Sequence, residues 1–394
     1  MNRQGNLLFV IVLISLICIN ITASQKGDYA KLHRQAIVCD LHCDTVMRLM
    51  QGVSLGTRTD MGHIDLPRLK EGGVDLQAFA CWVDPEDTPQ EQYASYTHRM
   101  IDKLIVEFQK NAASIALATS GSQAERIIAE NKIAAFLAIE GGHSIMSSID
   151  SLKTFHKRGV RYMTITWNNS LDWADAAADT NPQHGGLTDH GRNIIRTMND
   201  IGMIIDVSHS AESTFWDIIE TTTDPIIASH SCVHRLCPHY RNLKDEQIQA
   251  IARNGGMIGI NFYSAFLDST FGKQYELLRS RYQAEVDSLW ELYKDDRDRY
   301  IRERNALFGG ELQRIRPSID RVIDHIDYIV RLVGPGHVGL GSDFDGTSQV
   351  PRGLDDCSRL PHITRKLLER GYSEEDIQLI LGGNFMRIFK EVCG

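Results

Sequence analysis

Eight short apolar runs, separated by stretches with helical spacing, limit what this chain can fold into. The runs are rich in aliphatic and β-branched residues, and the stretches between them place apolar side chains three and four residues apart. This alternation is typical of βα units that build a parallel sheet. The runs begin near residues 36, 74, 132, 161, 202, 225, 256 and 337. They predict an α/β fold, a closed (β/α)8 barrel of the TIM type, with an open doubly wound sheet as the alternative.

One segment interrupts this rhythm after the seventh run. Residues 269–316 are dense in charge and helical in period, and we predict that they form an excursion of long helices over one face of the barrel. No short internal repeat or linker divides the rest of the chain. Residues 24–394 are therefore expected to form a single domain.

The N-terminal segment has the pattern of a secretory signal. Arg3 is followed by an apolar run and then by a small residue, Ala23, so residues 1–23 are predicted to be a signal peptide. This predicts a protein that is secreted or periplasmic after cleavage, with an uncleaved N-terminal anchor as the less favoured alternative. No later segment is apolar over the length that a membrane span requires.

The charge balance and the cysteines narrow the class of protein. The chain has 42 basic and 51 acidic side chains, which argues against nucleic acid as the main partner. Seven cysteines remain after the predicted cleavage. This odd number and low density do not indicate a disulfide scaffold.

Ionisable residues stand at the ends of four of the apolar runs. His42 and Asp44 follow the first run and, because alternate side chains of a strand share one face, point the same way. Glu140 ends the third run, where an unpartnered carboxylate would be costly to bury. His209 and His230 end the fifth and sixth runs. In a barrel these five side chains would meet at the C-terminal ends of the strands.

Such a set predicts a metal centre. Three histidines and two carboxylates suit two zinc ions with Glu140 shared between them, and a hydroxide held between the ions could attack a substrate at neutral pH. Asp343, at the end of the eighth run, is the candidate that passes the proton to the leaving amine. Asp345 is expected to order the next turn. Each residue alone also has a structural interpretation, as a hydrogen-bonded core residue or a turn cap, but their shared position favours catalysis.

Seven motifs, in this order, resemble the membrane dipeptidase (renal dipeptidase) family, the M19 metallopeptidases related to the amidohydrolase barrels. They are DLHCDT, AIEGGH, DVSHS, ASHS, HYRNLKDEQI, GLGSDFDG and GGNFMRIF, and they cover nearly the whole mature chain. The resemblance implies a binuclear zinc site. It places His42 and Asp44 on one ion, His209 and His230 on the other, and Glu140 between them.

The resemblance also implies substrate contacts. Arg241, in HYRNL, stands where the family binds the free carboxylate of a dipeptide, which a guanidinium can clasp with two hydrogen bonds. Trp167 stands where several members have a histidine that contacts the substrate in the transition state. A tryptophan donates one hydrogen bond and cannot change its protonation state. Asn168 or Asn169 could supply the missing contact to the developing oxyanion.

The sequence therefore predicts a zinc-dependent dipeptidase whose substrates include L,D-dipeptides. Two alternatives remain: a binuclear metal amidohydrolase that acts on another amide or ester, such as an N-acyl amino acid or a lactone, and a metal-binding protein without turnover. Family members are often dimers, so the resemblance also admits a homodimer, although no stretch of the sequence identifies an interface.

Overall fold

The computed structural model describes residues 29–347 and 349–394. They contain nine β-strands, all in one parallel sheet with the order β1-β2-β4-β5-β6-β7-β8-β9. The strands are β1 Cys39–Asp40, β2 Leu76–Trp82, β3 Ile115–Leu117, β4 Ile133–Glu140, β5 Val160–Thr164, β6 Ile204–Asp206, β7 Ile227–Ser231, β8 Met257–Ile260 and β9 Val338–Leu340. Each of the eight apolar runs contains one of the eight strands in this path.

The sheet closes on itself between its first and last strands. The Leu41 N–H donates to the Leu340 carbonyl at 3.0 Å, and the Asp44 N–H donates to the Phe344 carbonyl at 2.9 Å. Just beyond the strands, Asp40 accepts hydrogen bonds from the backbone and hydroxyl of Ser342, at 2.8 and 2.6 Å. The predicted eight-stranded, TIM-like barrel is confirmed, and the open sheet is excluded.

The ninth strand, β3, was not predicted. It pairs only with the first residues of β4, from Ile133 to Ala135, and therefore lies outside the ring. Its three residues, 115–117, are too short for a period of two to be recognised in the sequence between two helical stretches.

Helices follow the strands and cover the outside of the barrel. They are α1 (residues 29–35), α2 Thr45–Met50, α3 Leu66–Glu71, α4 Tyr93–Lys110, α5 Gly121–Ala129, α6 Ile149–Lys157, α7 Asp189–Ile201, α8 Glu212–Thr221, α9 Asp245–Arg253, α10 Ser264–Leu267, α11 Ser269–Arg281, α12 Gln283–Tyr293, α13 Arg297–Ile315, α14 Asp320–Val333, α15 Pro361–Glu369, α16 Glu374–Gln378 and α17 Asn384–Cys393. Short 3₁₀ turns lie at Gln90–Gln92, Gly142–Ile145, Pro335–His337 and Cys357–Arg359, and a π turn lies at Leu379–Gly383.

Alternate residues of the strands enter two separate cores. Phe79 and Leu137 belong to the larger core, which the surrounding helices share. Phe136 belongs to the smaller core, inside the barrel, which also contains Phe385 and Phe389 of α17. The Phe136 and Phe385 rings stack with their centroids 4.9 Å apart. The last helix therefore packs against the inner side chains of the strands.

The predicted helical excursion after the seventh strand of the ring consists of α11, α12 and α13. Its apolar side chains form a third, small core of their own. A buried arginine of α2, Arg48, donates to Asp298 of α13 at 3.0 Å. This ion pair attaches the excursion to the segment that follows β1.

Three expectations concern the chain as a whole. The predicted signal peptide, residues 1–23, lies outside the described residues. Within the part that the structure describes, no helix has both the length and the apolar character needed to cross a bilayer. The seven cysteines that the structure describes are all free thiols.

Candidate active site

The five predicted metal ligands lie together at the C-terminal end of the barrel. His42 and Asp44 follow β1, Glu140 is the last residue of β4, His209 follows β6, and His230 is part of β7. All five side chains are buried. Parallel strands in a closed ring end at the same rim, so residues 188 positions apart in sequence become neighbours.

Glu140 is at the centre of this group. Its Oε2 lies 3.3 Å from His42 Nε2, and its Oε1 lies 3.0 Å from His209 Nε2 and 3.4 Å from His230 Nε2. His42 Nε2 is also 3.8 Å from Asp44 Oδ2. One carboxylate therefore contacts all three imidazoles, through Oε2 to His42 and through Oε1 to His209 and His230.

Each imidazole directs its Nδ1 away from the centre, to a partner outside it. The His42 Nδ1 lies 2.9 Å from the Tyr162 hydroxyl, and the His209 Nδ1 lies 3.0 Å from Asn168 Oδ1. The His230 Nδ1 lies 2.8 Å from the Ser229 hydroxyl. A histidine that donates through Nδ1 keeps its lone pair on Nε2, the atom that faces Glu140.

A buried carboxylate supports the third of these contacts. Asp206, the last residue of β6, accepts from the Ser229 hydroxyl at 2.5 Å and the Ser229 N–H at 2.8 Å. It also accepts from Thr164 at 2.6 Å and from the Ser208 N–H at 3.0 Å. Because the Ser229 proton is directed to Asp206, the Ser229 oxygen is left to accept from His230.

Asp343 lies beside His42 and Asp44. One ligand atom from each of these three residues lies within 4.8 Å of the other two. Asp343 Oδ2 accepts a hydrogen bond from Asn261 at 3.0 Å. A Cβ atom on Gly346 would lie 2.1 Å from Asp44 Oδ2 and 2.2 Å from Asp343 Oδ1, so only glycine fits against the two carboxylates.

Two of the site residues have a backbone conformation that side chains other than glycine rarely adopt. His209 has a φ of 68° and Asp343 a φ of 60°. This left-handed conformation costs free energy and persists where the surroundings enforce it, which is common at functional sites. The strain turns both side chains at the point where the strand ends.

Burial and the charges of neighbouring side chains shift the pKa values of the site residues. Burial alone would lower the pKa of His42, but Glu140, Asp44 and Asp343 outweigh it and raise this pKa to about 10. Burial alone would raise the pKa of Glu140, but the histidines around this carboxylate hold its pKa well below the ordinary value. Burial, together with the Glu140 charge, raises the pKa of Asp343 to about 6.

The pKa values of the other two histidines are shifted in the opposite direction. Burial and the Arg241 guanidinium lower the pKa of His209 to about 4. Burial and the neighbouring His42 hold the pKa of His230 well below its ordinary value. The distance between His209 Nε2 and His230 Nε2 is 3.1 Å.

These residues fit metal ions. Two neutral imidazoles that both donate through Nδ1 turn lone pairs towards each other at Nε2, an arrangement that a cation between them and Glu140 would stabilise. The donors are imidazole nitrogens and carboxylate oxygens, the set that suits zinc and similar divalent ions. His42, Glu140 and His230 form one candidate group, and His42, Asp44 and Asp343 form another.

Arg241 lines a cavity that reaches His209. The cavity has a volume of about 290 Å³, and its wall also includes Ala177, Val207 and Tyr240. Arg241 is buried, and its Nη2 donates to the His230 carbonyl at 3.3 Å. The guanidinium also lies 5.6 Å from the centre of the Phe266 ring. A buried cation is thus held beside the metal ligands in a cavity with space for a small anion.

Trp167 and Asn168 also lie near His209. The Trp167 ring lies 4.8 Å from that of Trp82 and 6.3 Å from that of His209, measured between centroids. Asn168 orients His209, as described above, and lines a second, wider depression of about 660 Å³ together with Asn169. The asparagine that was predicted to contact substrate is therefore also bound to a candidate metal ligand.

Sequence reasoning missed three of these residues. Tyr162, Ser229 and Asn261 hold His42, His230 and Asp343 in place, yet each lies inside or next to an apolar run. One signal was available in the sequence. Tyr162 and Thr164 are two positions apart in one strand and therefore share a face, and a polar atom on the inner face of a strand needs a partner.

A parallel barrel with imidazoles and carboxylates gathered at the C-terminal ends of its strands defines a metal-dependent hydrolase. Comparison with known proteins identifies the family. A family model described as membrane dipeptidase (peptidase family M19) matches residues 28–393. The chain belongs to this family of metallopeptidases and is a dipeptidase.

Individual relatives agree with this assignment. The dipeptidase aclJ of Aspergillus oryzae is 32% identical over 343 residues, which are 84% of this chain and 70% of that protein. The crystal structure of the probable dipeptidase PvdM from Pseudomonas aeruginosa has a TM-score of 0.78 at 26% identity and covers 94% of this chain and 98% of its own. A metallopeptidase from Rhodobacter sphaeroides, solved with a phosphinate mimic of the dipeptide L-Ala-D-Ala, has the same fold, with a TM-score of 0.74 at 24% identity and coverage of 91% and 99%.

Proposed function

We propose that this dipeptidase uses two zinc ions and cleaves dipeptides that have a free C-terminal carboxylate, L,D-dipeptides among them. The observation that carries the proposal is that Glu140 contacts His42 through one carboxylate oxygen and His209 and His230 through the other, at 3.0 to 3.4 Å. We further propose that the protein is secreted or periplasmic, which the N-terminal sequence supports.

His42 and Asp44 would hold one ion and His209 and His230 the other, with Glu140 shared. Zinc ions bound there would polarise the amide carbonyl and supply a water nucleophile at neutral pH. Asp343, beside His42 and Asp44, would accept a proton and deliver it to the leaving amine. A carboxylate in this position can take a proton and give it back.

Arg241 would bind the carboxylate of the substrate. Its cavity begins at His209, so a carboxylate on the guanidinium would place the adjoining amide towards the metal ligands. The relative with the L-Ala-D-Ala mimic supports substrates of this class. Because Trp167 replaces a histidine of several family members, an N-acyl amino acid or a lactone remains the second candidate substrate. The dipeptidase family argues against a metal-binding protein without turnover.

Removal of metal is expected to abolish hydrolysis reversibly. We expect the mature protein to release amino acids from a panel of L,L- and L,D-dipeptides, to lose this activity after dialysis against a chelator, and to regain it with zinc. Elemental analysis of the restored protein is expected to find two zinc ions per chain. If the zinc-loaded protein cleaves no dipeptide but hydrolyses N-acyl amino acids or lactones, the second candidate takes its place.

Arg241→Ala is expected to lower kcat/KM for dipeptides by about 10- to 100-fold, the range for the loss of hydrogen bonds to a charged group. The corresponding dipeptide amides, which lack the carboxylate, should lose far less. The measurement is the ratio of kcat/KM for L-Ala-D-Ala to that for its C-terminal amide.

Arg316→Ala is the matched control. Arg316 is also buried, but its guanidinium donates to the Val350 and Pro351 carbonyls instead of lining the cavity. This variant should lower stability and leave the substrate ratio unchanged. An equal loss on dipeptide and amide in Arg241→Ala would remove carboxylate recognition from the proposal.

A further inference from the structure

Tyr162 makes two contacts that determine the state of His42. It lies on β5, its side chain is fully buried, and its ring belongs to the core inside the barrel. The hydroxyl lies 2.8 Å from the Leu41 carbonyl and 2.9 Å from His42 Nδ1. One phenol therefore contacts both the backbone just before the histidine and the histidine ring itself.

The direction of these hydrogen bonds follows from proton counting. A phenol has one proton, and the Leu41 carbonyl can only accept, so the hydroxyl donates to Leu41. Towards His42 the same oxygen must accept, and the proton between them belongs to Nδ1. In the neutral ring, the form that can bind a metal, the His42 lone pair is then on Nε2, 3.3 Å from Glu140 Oε2 and 3.8 Å from Asp44 Oδ2.

We propose that Tyr162 is a positioning residue for one of the two metal ions: it fixes the tautomer and the ring orientation of His42, so that Nε2 can ligate. The inference rests on the proposed function, because it requires metal at this site. It also assigns the ions different supports. His42 depends on a phenol anchored to the backbone, whereas His230 depends on Ser229, which is anchored to a buried carboxylate, Asp206.

The affinities for the two ions can therefore be lowered separately. Loss of the Tyr162 hydroxyl leaves Asn168 on His209 unchanged. It also removes a contact of the hydroxyl with the Ser229 side chain, but Ser229 keeps its bonds to Asp206 and His230. Outer partners of metal ligands typically contribute about 10- to 100-fold to metal affinity. A general loosening of the barrel would instead weaken the binding of both ions, because it would displace the ligands of both.

The test is zinc binding by Tyr162→Phe, which removes only the hydroxyl. Metal-free protein is titrated with zinc against a chromophoric chelator, and thermal unfolding of the metal-free form is recorded alongside. We expect the unaltered chain to bind two equivalents. In the variant we expect one equivalent to bind about 10- to 100-fold more weakly and the other to keep its affinity.

Tyr275→Phe is the matched control, since this buried tyrosine of α11 has its hydroxyl 3.0 Å from Gln349 Nε2 in the helical excursion. It should bind both equivalents like the unaltered chain. If Tyr162→Phe also binds both with unchanged affinity, or loses both alike, the positioning role is wrong. If the unaltered chain binds no zinc, the proposed function fails, and this inference fails with it.

A second measurement does not depend on the folding of the variant. In the zinc-loaded, unaltered chain labelled with ¹⁵N-histidine, His42 is expected to have its proton on Nδ1. A proton on Nε2 of His42 would overturn the inference, even where both zinc equivalents are present.

Discussion

Glu140→Gln is expected to lose most of its bound metal and to lose more dipeptide hydrolysis than the about 10- to 100-fold that an outer partner of a metal ligand contributes. The carboxamide keeps the shape of the side chain but is neutral and has one oxygen, so it cannot serve two ions. The measurements are metal per chain by elemental analysis and kcat/KM on the same preparation.

A second buried glutamate provides the control. Glu107 of α4 accepts from the Leu55 N–H at 3.2 Å and pairs with Lys110 at 3.0 Å, away from the candidate site. Glu107→Gln should keep its metal and its activity while unfolding at a lower temperature. Full metal content and a normal rate in Glu140→Gln would show that Glu140 is not the shared ligand.

Asp343→Asn is expected to keep both metal ions and to lower kcat by about 10²- to 10⁴-fold, the usual contribution of a positioned acid–base group. An asparagine can still bond to Asn261, whose Nδ2 lies 3.0 Å from Asp343 Oδ2. It cannot accept a proton from the nucleophile or deliver one to the leaving amine. The measurement is kcat at saturating dipeptide together with metal content.

Metal content decides between two roles for this residue. Asp343 lies within 4.8 Å of ligand atoms of His42 and Asp44, so it could also be a ligand. Release of one ion by Asp343→Asn would move it into the ligand set. Asp345→Asn is a local control, because Asp345 accepts from Thr45 and from the His63 N–H. That variant should lower stability more than it lowers kcat.

The ring of strands was predictable because each strand is a short apolar run bounded by helical spacing. Its site was predictable to the extent that ionisable residues end those runs. His42, Glu140 and His209 stand out in the sequence because a charged or polar group beside a buried run needs a reason. Their proximity follows from the geometry of a parallel barrel, because the C-terminal ends of all its strands lie at the same end.

The remaining features of the site could not be predicted, because they depend on contacts between residues that are far apart in the sequence. Tyr162 reaches His42 across 120 positions of sequence, and Asn261 reaches Asp343 across 82. Neither residue type is unusual where it occurs, so only the three-dimensional structure identifies the partner. The left-handed conformations of His209 and Asp343 are likewise enforced by the surroundings, since neither residue type requires them.

The contact that closes the barrel, between its first strand and the segment after its last strand, determines when the candidate metal centre can form. Asp40 and Ser342, which join the first strand to the segment after the last, are 302 positions apart, and the residues on either side of them supply His42 and Asp343. Contacts between distant parts of a chain form late, and synthesis delivers the N-terminal part first. A nascent chain therefore leaves the ribosome with its first candidate ligands exposed and without their counterparts. The candidate metal centre is complete only when the whole domain has been made and closed.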